Sequence, residues 1–427
     1  MMNLHPLSNL CQVFCSSLNS VILGFNQIYM SNPSPARPTS RIQSIDILRG
    51  AVMLIMALDH ARDFFHIHAF DDDPTNLATT TPLLFFTRII THFCAPVFLL
   101  LSGTSAFLAG QKRTKSEQSI FLIKRGLWLV VVEFLVITLG WTFNPLYNVF
   151  IMQVIWAIGW SMVILGLLVR SSGTVIFITG LILFFGHNVL DFIQVPQQGT
   201  AGVLWTILFK ASFTFLPIGE NRGFLDVYAI LPWTGVMLLG YSMGRFFLPS
   251  YGQSERRKVL AKLGLSLIAL FVVLRYLNIY GDPKPWSVQK DGLYTFFSFI
   301  NVTKYPVSLL YLCMTLGISL LVLAAIEKVQ NKFTGILIIY GRVPFLYYVM
   351  HFYLMHLVAV VLFFATGHGA NEIVDPQLPF LFRPMHYGYD LWVVYAVWLF
   401  VIVVLYWPCK WFNKYRSTHR QWWLSYV

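Results

Sequence analysis

Between residues 44 and 66 the chain reads SIDILRGAVMLIMALDHARDFFH, an apolar stretch of membrane-spanning length that carries Asp46, Arg49, Asp59, His60 and Asp63. A charge at the centre of a bilayer costs about 2.5–3.5 kcal/mol on insertion scales, so such residues turn toward protein or a water-filled interior. With ~100° and ~1.5 Å per residue, Arg49 and His60 share one helix face and stand about 16 Å apart along the axis. Asp46, Met53, Met56 and Asp63 fall within about 60° of Arg49, Asp59 lies about 80° away, and Arg62 points elsewhere. The spacing predicts one continuous polar seam. Imidazole titrates near neutrality, and a carboxylate such as Asp59 or Asp63 beside it fixes its tautomer, which is what a general base for a hydroxyl or amine needs. A buried ion network of Asp46, Arg49, Asp59 and His60 that only fixes helix packing is the competing reading, and periodicity does not choose between them.

Three further residues could join such a site. The stretch LFFTRIITHFCAPVFLLLSGTSAFLAG places Arg88 and His92 one turn apart, with His92 at a depth comparable with His60. Its Ser-Gly-Thr-Ser run reads as a small-residue face that lets helices approach. Glu133 is the only carboxylate inside the third apolar span and is expected to partner an inward Arg or His. In GRVPFLYYVMHFYLMHLVAVV, His351 and His356 point about 140° apart, so one of them joins a given site, and His351 is the choice. No HExxH or comparable ligand cluster occurs, so no metal is expected, and there is no GxSxG elbow, Walker loop or GxGxxG opening a helix.

The elements that must position these residues are membrane helices. Of 427 residues 57% are hydrophobic and only 11% charged, with a mean hydropathy of +0.65, which excludes a soluble globular protein. An all-α polytopic fold of about ten transmembrane helices is expected, near 44–66, 84–109, 120–140, 150–169, 174–192, 226–247, 259–279, 304–325, 342–365 and 389–409. The +12 net charge would suggest nucleic acid in a soluble chain, but here 20 of 30 basic residues fall in alternate loops and flanks. The positive-inside rule then puts those loops and both termini in the cytoplasm. Residues 1–40 read as a leader, of which the stretch before Met30 falls outside the natural protein if the start is Met30 rather than Met1, with an amphipathic or extra membrane segment as the competing reading; 41–410 form the transmembrane domain, and 411–427 a basic cytoplasmic tail. Five scattered cysteines offer no disulfide framework. No internal repeat of interrupted helices supports a secondary transporter, although a transporter or exporter using the Asp46/Arg49/His60 seam is the alternative reading.

The combination of SIDILRG, LDHARDFF, HFCAPVFLLLSGTSAFL, KRGLWLVVVE, LPWTGVMLLGY and YGRVPFLYYVMH resembles the bacterial relatives of the heparan-alpha-glucosaminide N-acetyltransferase catalytic domain. The wider resemblance is to the type-three membrane acyltransferases, whose signature is an Arg, ten residues and a His in the first span. The resemblance covers about residues 41–410. It implies an acyl-CoA-dependent enzyme of the bacterial cytoplasmic (inner) membrane that moves an acyl group, typically acetyl from cytoplasmic acetyl-CoA, to a hydroxyl or amine of an extracytoplasmic glycan. Partners are then acyl-CoA, the glycan acceptor, the bilayer and, as an open question, further copies of the chain. His60 matches the motif's catalytic His, as general base or transient acyl carrier, and Arg49 its essential Arg. The mammalian lysosomal enzyme departs from this pattern, having no His at the position of His60 and using a later one, which keeps His66 and His68 as alternatives. Lys112, Arg113, Lys124 and Arg125, with Arg49, are candidates to hold the donor, although the positive-inside bias alone accounts for the loop residues.

Overall fold

The computed structural model describes residues 42–193, 199–220 and 222–425; the expected leader, with Met30, Cys11 and Cys15, lies outside them. The chain begins with α1 (Gln43–Phe65), followed by α2 (Pro82–Thr91) and α3 (Cys94–Gly110). These last two are one apolar span divided at His92. Pro96, in the first turn of α3, has no N–H for the His92 carbonyl four residues back, and the Tyr311 hydroxyl donates to that oxygen instead at 2.6 Å. Helix α4 (Lys115–Val132) opens on a reciprocal cap between Thr114 and Glu117, widens into a π turn at Glu133–Ile137 and ends as α5 (Thr138–Thr142).

Strand β1 (Val149–Met152) leads into α6 (Val154–Leu168), and α7 (Gly173–Gly186) runs on as a 3-10 turn to Phe192. Then come α8 (Gly199–Trp205), strands β2 (Thr214–Gly219) and β3 (Arg222–Asp226), and α9 (Ile230–Met243). The chain closes with α10 (Gln253–Leu277), α11 (Gly292–Ile300), α12 (Leu309–Ile326), α13 (Lys332–Arg342), α14 (Pro344–Ala365) and α15 (Leu391–Thr418).

Two features differ from an all-α chain of ten spans. Among the described residues six helical segments are long and apolar enough to cross a membrane: Pro82–Gly110, Gly173–Phe192, Gln253–Leu277, Leu309–Ile326, Pro344–Ala365 and Leu391–Thr418. Helix α1 carries too many charges for that count, and α6 and α9, of 15 and 14 residues, are too short for it. Second, β1, β3 and β2 form a sheet in that order, β1 parallel to β3 from Val149↔Gly223 to Met152↔Asp226, and β2 antiparallel to β3. The strand sequence VFIM is a short apolar run, which periodicity cannot separate from the start of an apolar helix, and RGFLD has only Phe224 and Leu225 between its charged ends to mark it. Helix α15 also runs past residue 410 to Thr418, so the expected tail begins inside it.

Close backbone approach fixes α1. A Cβ on Gly50 would collide with the Leu337 carbonyl oxygen of α13, and one on Gly341 would collide with that of Asp46. Gly103 and Gly240 bring α3 against α9 in the same way, and Thr104 Oγ1 donates across that contact to the Gly240 carbonyl at 3.0 Å. From the other side Trp398 of α15 donates its indole N–H to Leu54 O at 2.8 Å. Helix α1 is thus held against α13, α15 and the α2–α3 pair, with Val52, Met53, Met56 and Ala57 buried along its middle.

Candidate active site

The second half of α1 forms one wall of a cleft of about 450 Å³. Met56, Asp59, His60, Arg62 and Asp63 line it from α1, and Arg88, Thr91, Cys94 and Phe98 from α2 and α3. Trp141, Gln153, Tyr228, Lys304, Tyr305 and Phe380 complete much of the remaining wall, while Ile151, Leu225 and Val227 from β1, β3 and the residue after β3 explain what the sheet is for. The exposed turn Asp71–Asp73 stands at the rim.

His60 sits in an aromatic box. Its ring meets Trp141 edge-on at 5.0 Å, Phe352 at 4.5 Å and His351 at 5.2 Å between centroids. Its Nδ1 is buried and faces Asp63 Oδ2 at 3.6 Å, beyond hydrogen-bond length. The Nε2 edge is therefore the one the cleft can reach. Asp63 is anchored by Arg62 at 2.5 Å. His351 is fully buried behind His60, its Nδ1 bonded to Tyr347 O at 3.2 Å in helical i−4 geometry and its Nε2 without a partner among the described residues.

One residue from His60, Asp59 collects three cations. Arg88 Nη1 reaches both of its oxygens, at 2.5 and 2.7 Å, Arg62 approaches to 3.6 Å and Lys304 to 3.8 Å. The cluster holds two carboxylates, Asp59 and Asp63, against Arg62, Arg88 and Lys304, which leaves one positive charge in excess before His60 is counted. In a low-dielectric surrounding such charges are retained only if paired, and each Arg has its carboxylate. Arg62, which the helical wheel turned away from the seam, is 5% exposed and belongs to this cluster. Lys304 was not singled out by sequence, because a lone Lys at the edge of an apolar span reads as an interfacial charge.

Glu133 does not partner an Arg or His as expected. Its Oε1 accepts the backbone N–H of Gln153 at 3.0 Å, just ahead of α6, where Gln153 itself supplies no side-chain cap. Gln153 Oε1 in turn accepts the Trp141 indole N–H at 3.0 Å. A chain of two hydrogen bonds thus runs from the π turn to the ring that stands over His60.

The other expected residues lie apart from the cleft. Arg49 donates to Asp46 at 3.3 Å, to Gly341 O at 3.1 Å and to Ser105 at 2.8 Å, and Arg342 closes on Asp46 at 3.5 Å. The expected seam is therefore two polar clusters, separated by buried Met53 and Met56. Ser105, assigned only a packing role, serves one of them. His92 is buried beside Tyr311 at 5.3 Å between rings and does not line the cleft. His356 bonds Gly140 O and Leu381 O at 3.2 and 2.8 Å and stacks on Phe143.

His66 lies just beyond α1, its carbonyl accepting from Arg383 at 2.6 Å; burial and the nearby Arg62, His68 and Arg383 push its pKa down to about 4. His68 is largely exposed and bonds Asp71 at 3.1 Å. Lys112 and Arg113 follow the far end of α3, about 25 Å along that helix from Cys94, whereas Lys124 and Arg125, expected in the loop, lie inside α4. Arg113 is engaged with Ala109 O at 2.7 Å and with the Phe121 ring. No group of three or more His, Cys, Asp or Glu residues among those described could hold a metal ion.

Residues 41–280, more than half of the chain, match the family model described as heparan-alpha-glucosaminide N-acetyltransferase, catalytic. No curated protein matches the chain.

Proposed function

The chain belongs to the heparan-alpha-glucosaminide N-acetyltransferase catalytic family of membrane acyltransferases, and from that premise we propose that it carries an acyl group from acyl-CoA to a hydroxyl or amine of a glycan on the far side of the membrane. The observation that supports this reading is His60 in the cleft, with its buried Nδ1 turned to the Arg62-anchored Asp63 and its other edge open. An acceptor entering past Asp71 and Phe213 meets the thioester at His60. The acceptor heteroatom attacks the thioester carbonyl carbon while His60 Nε2 takes its proton, and Asp63 balances the imidazolium that forms. The carbonyl π pair moves to oxygen and returns as the C–S bond breaks, and His60 passes the proton to the departing thiolate. An acyl-His60 intermediate uses the same atoms in two steps.

Arg49 lies seven residues before Met56 on the same helix, about 10 Å along the axis, and is assigned to the donor's path rather than to the reacting atoms. Lys112 and Arg113, in the turn after α3, and Lys124 and Arg125, on α4, are assigned to the CoA phosphates. His66 and His68 are assigned no chemical step, since one is locked at the end of α1 and the other lies on an exposed turn. His60→Ala is the test: purified enzyme given acetyl-CoA and glucosamine should lose thiol release and product by at least a hundredfold, with its melting temperature in detergent near that of wild type. A fully active variant would remove His60 from the mechanism.

A further inference from the structure

The three cations around Asp59 are not equivalent. Arg88 is bonded to both Asp59 oxygens and Arg62 is bonded to Asp63 at 2.5 Å, so both guanidiniums are neutralised at hydrogen-bond distance. The Lys304 ammonium is 3.8 Å from an Asp59 oxygen already taken by Arg88, too far for a hydrogen bond, and makes none among the described residues. Its side chain is only 7% exposed, it lines the cleft with His60, and its remaining neighbour is the face of the Tyr305 ring at 5.0 Å. The ammonium, at the end of a mostly buried side chain, thus faces the cleft with three donors and no protein acceptor among the described residues, ready for an acceptor brought by a ligand.

The fold holds this lysine in place deliberately. Asp282 accepts from Thr303 N and from the Ser308 hydroxyl, both at 2.8 Å, and from the Thr303 hydroxyl at 2.9 Å, which clamps the loop on either side of Lys304. Arg275 braces the same region by donating to Phe299, Ser298 and Asn301 carbonyls at 2.7–2.9 Å. A preorganised cation lining the same cleft as the proposed general base is what charge development on a carbonyl oxygen requires.

We propose that Lys304 is the oxyanion-stabilising residue of the acyl transfer, its ammonium donating to the thioester oxygen as that oxygen becomes negative. This rests on the acyltransferase reading of the cleft. As the acceptor's lone pair forms the new bond to carbon, the carbonyl π electrons move to oxygen and Lys304 meets the charge without transferring a proton. When the pair returns and the C–S bond breaks, the contact weakens again, so Lys304 acts on the transition state and not on donor binding.

The test uses the full chain in detergent and two readouts. In the first, Lys304→Met and Lys304→Arg are compared with wild type for acetyl transfer to glucosamine and to the acidic sugar glucuronate. The expected result is a kcat lower by about 10²–10³-fold in Lys304→Met for either acceptor, with KM for acetyl-CoA unchanged and part of the rate restored in Lys304→Arg. A rise confined to KM for glucuronate would make Lys304 an acceptor-recognition residue and overturn the proposal, as would equal kcat in wild type and Lys304→Met. The second readout needs no turnover: methylphosphonate, a small tetrahedral anion, should bind wild type at least tenfold more tightly than Lys304→Met by calorimetry. Binding that does not depend on Lys304, or no binding by wild type, overturns the anion site. Lys304-dependent binding without any CoA release would instead leave the site standing and refute the acyltransferase reading.

Discussion

Trp141 meets His60 edge-on because its indole N–H is committed elsewhere, to Gln153, whose backbone N–H is in turn held by the buried Glu133. The ring is stacked from its other side by Phe64 at 5.2 Å between centroids, so neither partner leaves it free to tilt. Under the proposed mechanism the base must be held to within a fraction of an ångström of its near-attack geometry, and Trp141 is then a positioning residue for His60. Trp141→Phe keeps most of the aromatic contact, removes the donor and leaves Gln153 Oε1 unpaired. The loss of one such bond is worth about 1 kcal/mol, so kcat should fall roughly fivefold with KM for acetyl-CoA little changed, measured by thiol release. Wild-type kcat in this variant would show that the hydrogen-bonded chain supports only the fold. Glu133 would have been hard to place from sequence: a lone buried carboxylate suggests a cationic partner, whereas here it answers a helix N-terminus that lacks a cap.

At the scale of elements, the helical period of α1 was readable because spacing is nearly independent of context, and Asp59, His60 and Asp63, which the spacing singled out, all line the cleft, while Arg49 at the other end of the expected seam does not. It misplaced Arg62, whose long side chain reaches around the helix to Asp59 and Asp63. Lys304 was invisible for a different reason: its position depends on Asp282 clamping a loop, a tertiary fact with no periodic trace. The end of α1 depends on another such contact. The residues on either side of His66 bond the Tyr389 backbone, Ile67 N donating to Tyr389 O at 3.1 Å and Tyr389 N to Phe65 O at 2.7 Å. Arg383 ties the His66 carbonyl to those of Pro384 and Tyr387. Because the His66 pKa is lowered from 6.5 to about 4, the folded chain resists a proton that the unfolded chain accepts. The resulting penalty is absent above pH ~6.5 and grows as pH falls toward 4. The melting temperature should drop over that interval, and His66→Asn should lessen the drop; an unchanged pH profile in the variant would place the acid sensitivity elsewhere.

For the molecule as a whole, the two polar clusters of α1 stand toward opposite ends of the helix. Asp46, Arg49 and Arg342 lie toward one end, with the Glu327–Arg256 pair joined to Ser44 close by, and the cleft opens toward the other, where the acidic Asp71–Asp73 turn stands. The proposed function, with the positive-inside expectation for the loops, assigns the first end to the donor side. Under the proposed function, the buried stretch at Val52 and Met53 between them would separate the donor side from the acceptor side. An enzyme so divided should transfer acetyl across a bilayer, not merely at its surface. In sealed liposomes with the chain inserted, acetyl-CoA outside and labelled glucosamine trapped inside, acetylated sugar should accumulate inside while free CoA thiol appears outside. Sugar acetylated only when both substrates share a compartment would confine the reaction to one face. Unmodified sugar crossing with no thiol released would make the charged cleft a transport pathway, because a permeation route needs the cluster's charges but neither the thioester nor His60's proton transfer.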